Sequence, residues 1–133
     1  MFKKSITYTD YDGNERTEDF FFNLNKAELI EFNYFVDEGM EKFLQQIVKK
    51  EDIKSMIGLI KELIRRAYGE KSSDGLRFIK YRDGRSLADD FMQTEAYSEL
   101  FVELTSDEKK VSDFINGIIP RKMAEEIAEK KNK

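Results

Sequence analysis

A chain of 133 residues is the size of one ordinary domain, long enough to bury roughly two thirds of the surface its unfolded form exposes. Apolar residues make up 40% and charged residues 38%, with 11 Phe and no Trp, so a compact core of a few large rings must sit under a heavily charged surface. The absence of Cys and His excludes disulfides, thiolate metal sites and histidine chemistry, and a net charge of −4 argues against general affinity for nucleic acid or anionic membrane.

The opening MFKKSITYTDYDG lacks the apolar run and cleavage site of a secretory leader, and no uncharged stretch approaches the ~20 residues that span a bilayer. The expectation is a soluble cytoplasmic protein. Residues 3–22 read as a β-hairpin, because KKSITYT and RTEDFFF are β-prone runs flanking DYDGN, whose Asp12-Gly13 pair suits a turn needing positive φ. Phe20 and Phe22 then share one face of the second strand and Phe21 takes the other. A lone hairpin is marginal, so it must lean on helices, and its open edges are a route to self-association.

NLNKAELIEFNYFVDEG opens a helix with Asn25 as cap and Glu28 three residues on, a capping-box pattern, and ends near Gly39. Leu29, Phe32 and Val36 form one stripe, while Ile30, Tyr34 and Phe35 lie around other sides; this apolar excess is either core or a surface for a partner. MEKFLQQIVKK continues as a second helix with Met40, Phe43, Leu44 and Ile47 at helical spacing. In EDIKSMIGLIKELIRRAYGE, Ile53, Met56, Ile57, Ile60, Leu63, Ile64 and Ala67 keep the three-four rhythm without a miss, Glu62 and Arg66 form an i,i+4 ion pair, and Gly69 is the expected stop.

EKSSDGLRFIKYRDGRS is turn-rich, and its Asp74-Gly75 and Asp83-Gly84 pairs bracket a β-capable LRFIKY, which is a second hairpin arm or an ordered loop. Ser86 caps LADDFMQ. The rhythm then changes phase at Gln93-Thr94, since an unbroken helix would lay Asp90 over the Tyr97/Phe101 stripe; a kink, or a fresh start capped by Thr94, is expected. In QTEAYSELFVEL, Tyr97, Leu100, Phe101 and Leu104 form a core stripe opposite a ridge of Glu95, Glu99 and Glu103. A last helix carries Val111, Phe114, Ile115 and Ile118, and Pro120 breaks it or opens the next, before a charged tail over 121–133 that is helical or frayed. The expected architecture is α+β but mainly α-helical: one globular domain over 1–120, with an N-terminal β-hairpin packed on a bundle of about five to six helices from about residue 26 onward.

For chemistry, carboxylates are what remains, as ligands for Mg²⁺ or as an acid/base pair: Asp10 with Asp12, Asp89 with Asp90, and Glu125 with Glu126. DYDG starts like a calcium loop but fails afterwards, because its twelfth position is Phe21 where a bidentate Glu is required. Asp89 and Asp90 suit the electrostatics of a helix start. No glycine-rich phosphate loop occurs, and the basic RFIKYRDGR, interleaved with Phe78 and Tyr81, reads as a solvated turn before it reads as a single-strand nucleic-acid surface. Like charges four apart cost a few tenths of a kcal/mol per pair, so the glutamate ridge is either plainly solvated or a docking strip for a basic partner.

Taken together, ITYTDYDGNERTEDFFFNLNKAEL, YGEKSSDGLRFIK, FMQTEAYSELFVELTSD and FINGIIP resemble the tail assembly chaperones of long-tailed phages of Gram-positive bacteria, over residues 2–120. YRDGRSLADD departs from that likeness, being longer than the family's join between RFIK and the QTEAY helix. The resemblance implies no catalytic residue, no cofactor and no metal. It implies a small, mainly helical protein of the infected host cytoplasm, absent from the finished virion. Its partners would be the tape measure protein, which it keeps soluble, and the tail tube subunits it helps recruit. Many such proteins have a longer form made by ribosomal slippage, with which an A-rich codon run at Lys130-Lys131 is compatible. Two rivals stay open: an acidic adaptor or inhibitor docking a basic partner through Glu95, Glu99 and Glu103, and a carboxylate-Mg²⁺ enzyme using Asp89 and Asp90.

Overall fold

The structure, a computed structural model, describes residues 1–35 and 53–120, without the side chains of 33–35 and 53–56. The helix expected around Met40, Phe43, Leu44 and Ile47, and the tail over 121–133, lie outside the described residues.

Strands β1 (Phe2–Thr9) and β2 (Glu15–Phe22) form the expected hairpin, in unbroken register from Phe2 opposite Phe22 to Thr9 opposite Glu15. Asp10 closes its loop. The carboxylate accepts from the Asp12 and Asn14 N–H groups at 2.9 Å each and from Arg16 Nε at 2.6 Å, while Gly13 supplies the positive φ of 85°. Helix α1 (Lys26–Phe35) starts with a complete capping box: Asn25 Oδ1 accepts from the Glu28 N–H at 2.8 Å and Glu28 Oε1 accepts from the Asn25 N–H at 3.0 Å. Helix α2 (Ile53–Ala67) buries Ile60, Leu63, Ile64 and Ala67 completely, and its Glu62–Arg66 pair closes at 2.9 Å.

After α2 the expectation of a mainly helical bundle is overturned. The chain turns directly into β3 (Tyr68–Lys71) and returns in β4 (Phe78–Ile79), building a four-stranded antiparallel sheet in the order β1-β2-β3-β4. A second, two-stranded sheet joins β5 (Tyr81–Arg82) to β6 (Arg85–Ser86). The fold is therefore a mixed α+β one. The reason the sheet is not apparent in the residue pattern is length, since pairings of two residues leave no alternation to read. Gly69 does not stop the helix but sits inside β3, where a Cβ would lie 2.6 Å from the Phe78 ring and 2.7 Å from the Ile79 carbonyl oxygen. Asp83 and Gly84, with φ of 53° and 77°, make the two-residue turn between β5 and β6 that positive φ at both positions favours.

Helix α3 (Leu87–Phe91) is capped by Ser86, and α4 (Glu95–Ser106) starts afresh with Thr94 accepting from the Tyr97 N–H at 3.3 Å. The phase change is thus a true break between helices. Helix α5 (Glu108–Ile118) buries Val111, Phe114, Ile115 and Ile118, as its spacing predicts, and ends before Pro120. The core converges on Phe22, whose ring meets Tyr68, Phe91 and Phe114 at centroid distances of 5.6, 5.8 and 5.2 Å. Phe20 packs on Phe91 from the same strand face, while Phe21 takes the other side, as alternation requires.

Lys80, between β4 and β5, ties three elements together. Its Nζ donates to Glu28 Oε2 at 2.5 Å, to the Arg66 carbonyl at 2.5 Å and to the Asn23 carbonyl at 2.8 Å. Its side chain is 15% exposed, and burial pulls its pKa below the ordinary lysine value against the opposing pull of Glu28. Replacing Lys80 with Met keeps the stem but strands one carboxylate and two carbonyls, so Lys80→Met is expected to cost about 2–3 kcal/mol in urea unfolding. Glu28→Gln, which keeps an acceptor for the capping box, is expected to cost only about 1 kcal/mol; equal losses would show that the Lys80–Glu28 ion pair, and not the bonds to the two carbonyls, holds this corner.

Candidate functional site

Three of the carboxylates that could serve chemistry, Asp10, Asp89 and Asp90, are engaged in structure. Asp10 is spent on its own loop, and its carboxyl is held below the usual range, first by Arg16 and then by the Asn14 N–H. Asp89 pairs with Arg65 at 2.7 Å and Asp90 with Arg85 at 2.7 Å. Among the described residues no group of three or more Asp or Glu side chains could hold a metal ion; Glu125 and Glu126 lie outside them. Three of the four basic residues of RFIKYRDGR are similarly occupied: Lys80 is the internal tie, Arg82 pairs with Glu70 at 2.8 Å, and Arg85 with Asp90 at 2.7 Å. Phe78 is half-buried, leaving Tyr81 exposed.

A charged cleft of 440 Å³ opens beside Lys80, between α1, α2 and α3. Glu28, Glu31, Glu62, Arg65, Arg66 and Asp89 are among its lining residues. Sequence reasoning missed this cleft because its ion pairs, apart from those of Glu62 with Arg65 and Arg66, join residues far apart in the chain. The available signal was Lys80 itself, a cation set between Ile79 and Tyr81 in a β-capable run.

The glutamate ridge lies on α4, which packs along β1 and runs antiparallel to it, with Lys4 near its C-terminal end and Tyr11 near its N-terminal end. The three acids have different surroundings. Glu103 accepts from Lys4 Nζ at 2.8 Å and from Lys110 Nζ at 2.7 Å, bridging β1, α4 and α5. Half-buried Glu95 shares the Tyr11 hydroxyl, raising the tyrosine's pKa, and the same hydroxyl reaches the Gln93 carbonyl at 3.3 Å. Glu99 is exposed and has no ion pair among the described residues. Opposite the ridge, Leu100 and Leu104 are buried, and half-buried Tyr97 and Phe101 pack against the core.

On α1, Leu29 and Phe32 are buried and Ile30 is 57% exposed. Tyr34 and Phe35 follow on the same helix, with side chains outside the described residues. The structure therefore gathers Glu95, Glu99 and Glu103 on one helix beside the hairpin and places Ile30 on another. No helix among the described residues is long and apolar enough to cross a membrane.

These are the features of a small α+β protein in which Asp10, Asp89 and Asp90 are each committed to an ion pair. The sequence profile of the phage tail assembly chaperones matches residues 1–133, and the chain belongs to that family. Comparisons with curated proteins and with solved structures returned no match. Family membership brings a role in phage tail assembly and, with it, partners among the components of the tail.

The Glu103 bridge generates a pH dependence. Burial by itself would raise the Glu103 pKa, but the ammonium groups of Lys110 and Lys4 outweigh it and hold the carboxyl below its ordinary value. A carboxylate depressed on folding contributes stability that is present above its unfolded pKa and lost as pH falls through the folded one. Glu103→Gln is accordingly expected to lower stability by about 1 kcal/mol at pH 7, and the gap from the parent chain should close below about pH 4. A gap that stays constant in urea titrations across that range would refute the bridge.

Proposed function

We propose that this tail assembly chaperone binds the tape measure protein, keeps it soluble and helps recruit tail tube subunits around it. The observation that carries the reading is the family match across the whole chain. A long helical client is recognised by laying an apolar face into an apolar strip, which needs exposed side chains and no chemistry. Exposed Ile30 begins such a strip on α1, and Tyr34 and Phe35 continue it in sequence. Action in the host cytoplasm during infection, absence from the finished virion, and a longer form produced by slippage near Lys130-Lys131 belong to the same reading.

The rival acidic adaptor needs the ridge free for a basic partner. Glu103 is already neutralised by two lysines and Glu95 is engaged by Tyr11, so that rival retains Glu99. Co-expression with the tape measure protein tests the chaperone reading: the client's soluble yield should rise severalfold. Ile30→Asp, at an exposed position that leaves the melting temperature in place, should abolish most of the rise. An unchanged yield with the parent chaperone would count against the function, and an unchanged yield with Ile30→Asp against the strip.

A further inference from the structure

β1 is the outermost strand of the sheet and pairs only with β2. In an antiparallel ladder, successive residues turn their backbone N–H and C=O alternately toward the neighbour and away from it. The Asp10 N–H, bonded to the Asn14 carbonyl at 2.9 Å, sets the phase. Lys4, Ile6 and Tyr8 face β2, while Lys3, Ser5, Thr7 and Thr9 present their backbone groups to the open side. Two observations agree. The Thr7 and Thr17 hydroxyls meet at 2.8 Å, as side chains do across the closer, non-hydrogen-bonded pairs, and Phe21, opposite Lys3, turns outward to pair with Gly69 of β3. Among the described residues nothing hydrogen-bonds the outward groups of Ser5, Thr7 or Thr9.

A shallow groove of 290 Å³ follows this edge, with Lys4–Thr7 on one side and Glu99, Val102 and Glu103 of α4 on the other. Edge strands are normally blunted by a proline, a bulge or a charge. The run Ser5–Thr9 has none of the three, and its register with β2 is continuous. Across the groove, Val102 is 62% exposed, and Glu99 is the one acid of the ridge without a partner among the described residues.

We propose that this groove receives an extended segment of a partner protein as a fifth strand of the sheet, bonded to the backbone of Ser5, Thr7 and Thr9, with a basic side chain against Glu99 and an apolar one against Val102. Residues three apart on a helix lie about 5–6 Å from one another, close to the ~6.7 Å between alternate side chains on one strand face. A two-residue step in the incoming strand thus matches the Glu99–Val102 spacing. A second copy of the chain fits less well. Its own α4 would come with its β1, and strands 4.7–4.9 Å apart cannot bring together two helices that need 8–10 Å. A bare extended segment brings no helix. The inference concerns the mode of docking and stands whichever protein the client is.

The test uses the full chain and a capped seven-residue probe peptide, TVTKTVT, followed by amide NMR. Saturable shifts and slowed exchange are expected at Ser5, Thr7 and Thr9. Thr7→Pro removes an outward N–H without touching the β1–β2 ladder and should weaken binding about tenfold. Replacing the probe's lysine by glutamate should weaken it severalfold, and Glu99→Lys should reverse that preference, which decides the matter even if Thr7→Pro disturbs the hairpin. Three results would overturn the proposal: no binding at millimolar probe, protection of the Ser5, Thr7 and Thr9 amides in the free chain, which means that another part of it covers the edge, or a concentration-dependent dimer that Thr7→Pro dissolves, which assigns the edge to a second copy.

Discussion

Each α-helix ends with four carbonyls that lack an intrahelical partner, and where that end is buried water cannot supply one. Both α2 and α5 end inside the protein, with Ala67 and Ile118 wholly buried. The chain leaving β2 passes between these two ends and serves them in succession: the Asn23 N–H reaches the Ala67 carbonyl at 2.7 Å and the Leu24 N–H reaches the Ile118 carbonyl at 2.7 Å. Lys80 takes the Arg66 carbonyl. The rest of the architecture is arranged around this crossing, because two helix ends and one strand end must meet at a point without leaving an unpaired polar group.

Several features follow from that geometry. β3 leaves α2 without a loop, since Ala67 is already engaged and the next residue, Tyr68, is opposite Phe22 in the sheet. The ring of Phe22 lies beneath the crossing, where it touches one aromatic from β3, one from α3 and one from α5. Tyr68 and Phe91 stack at 4.3 Å beside it, and burial lifts the Tyr68 hydroxyl to a pKa of about 12, keeping it neutral within this aromatic layer. With 11 Phe and no Trp in the chain, the core is assembled from edge-to-face, tilted and stacked ring contacts that tolerate no large gaps.

What could be read from sequence divides by range. Caps were legible because their donors and acceptors lie three residues apart: Asn25 with Glu28, Ser86 with Asp89, Thr94 with Tyr97. So were the Asp-Gly turns and the buried stripes of α2 and α5, each set by local chemistry or a helical period, except that Ile57, expected in the α2 stripe, is exposed because the helix reaches past the core there. The sheet was not, beyond its first hairpin, because β3 to β6 are held by backbone pairs of two residues and by Gly69's close approach to Phe78. The ridge shows the same divide. Its three glutamates were visible as a pattern, but the lysine beside Glu103 is 99 positions away in the chain, and the repulsion expected within the ridge is relieved by a partner that no local reading would supply.

Phe2 packs edge-on against Phe114 at 5.4 Å, in a space that exists because position 117 is glycine, where a Cβ would lie 2.4 Å from the Phe2 ring. The first strand is therefore completed by the last described helix. On a ribosome adding roughly 5–20 residues per second, the hairpin is made within the first seconds, yet the helix that covers Phe2 and Phe22 emerges roughly 5–20 s later. During that interval the aromatic face of the hairpin is available to whatever else is in the vicinity. The folding of this chaperone thus has its own exposed stage, set by the separation of its two ends along the chain.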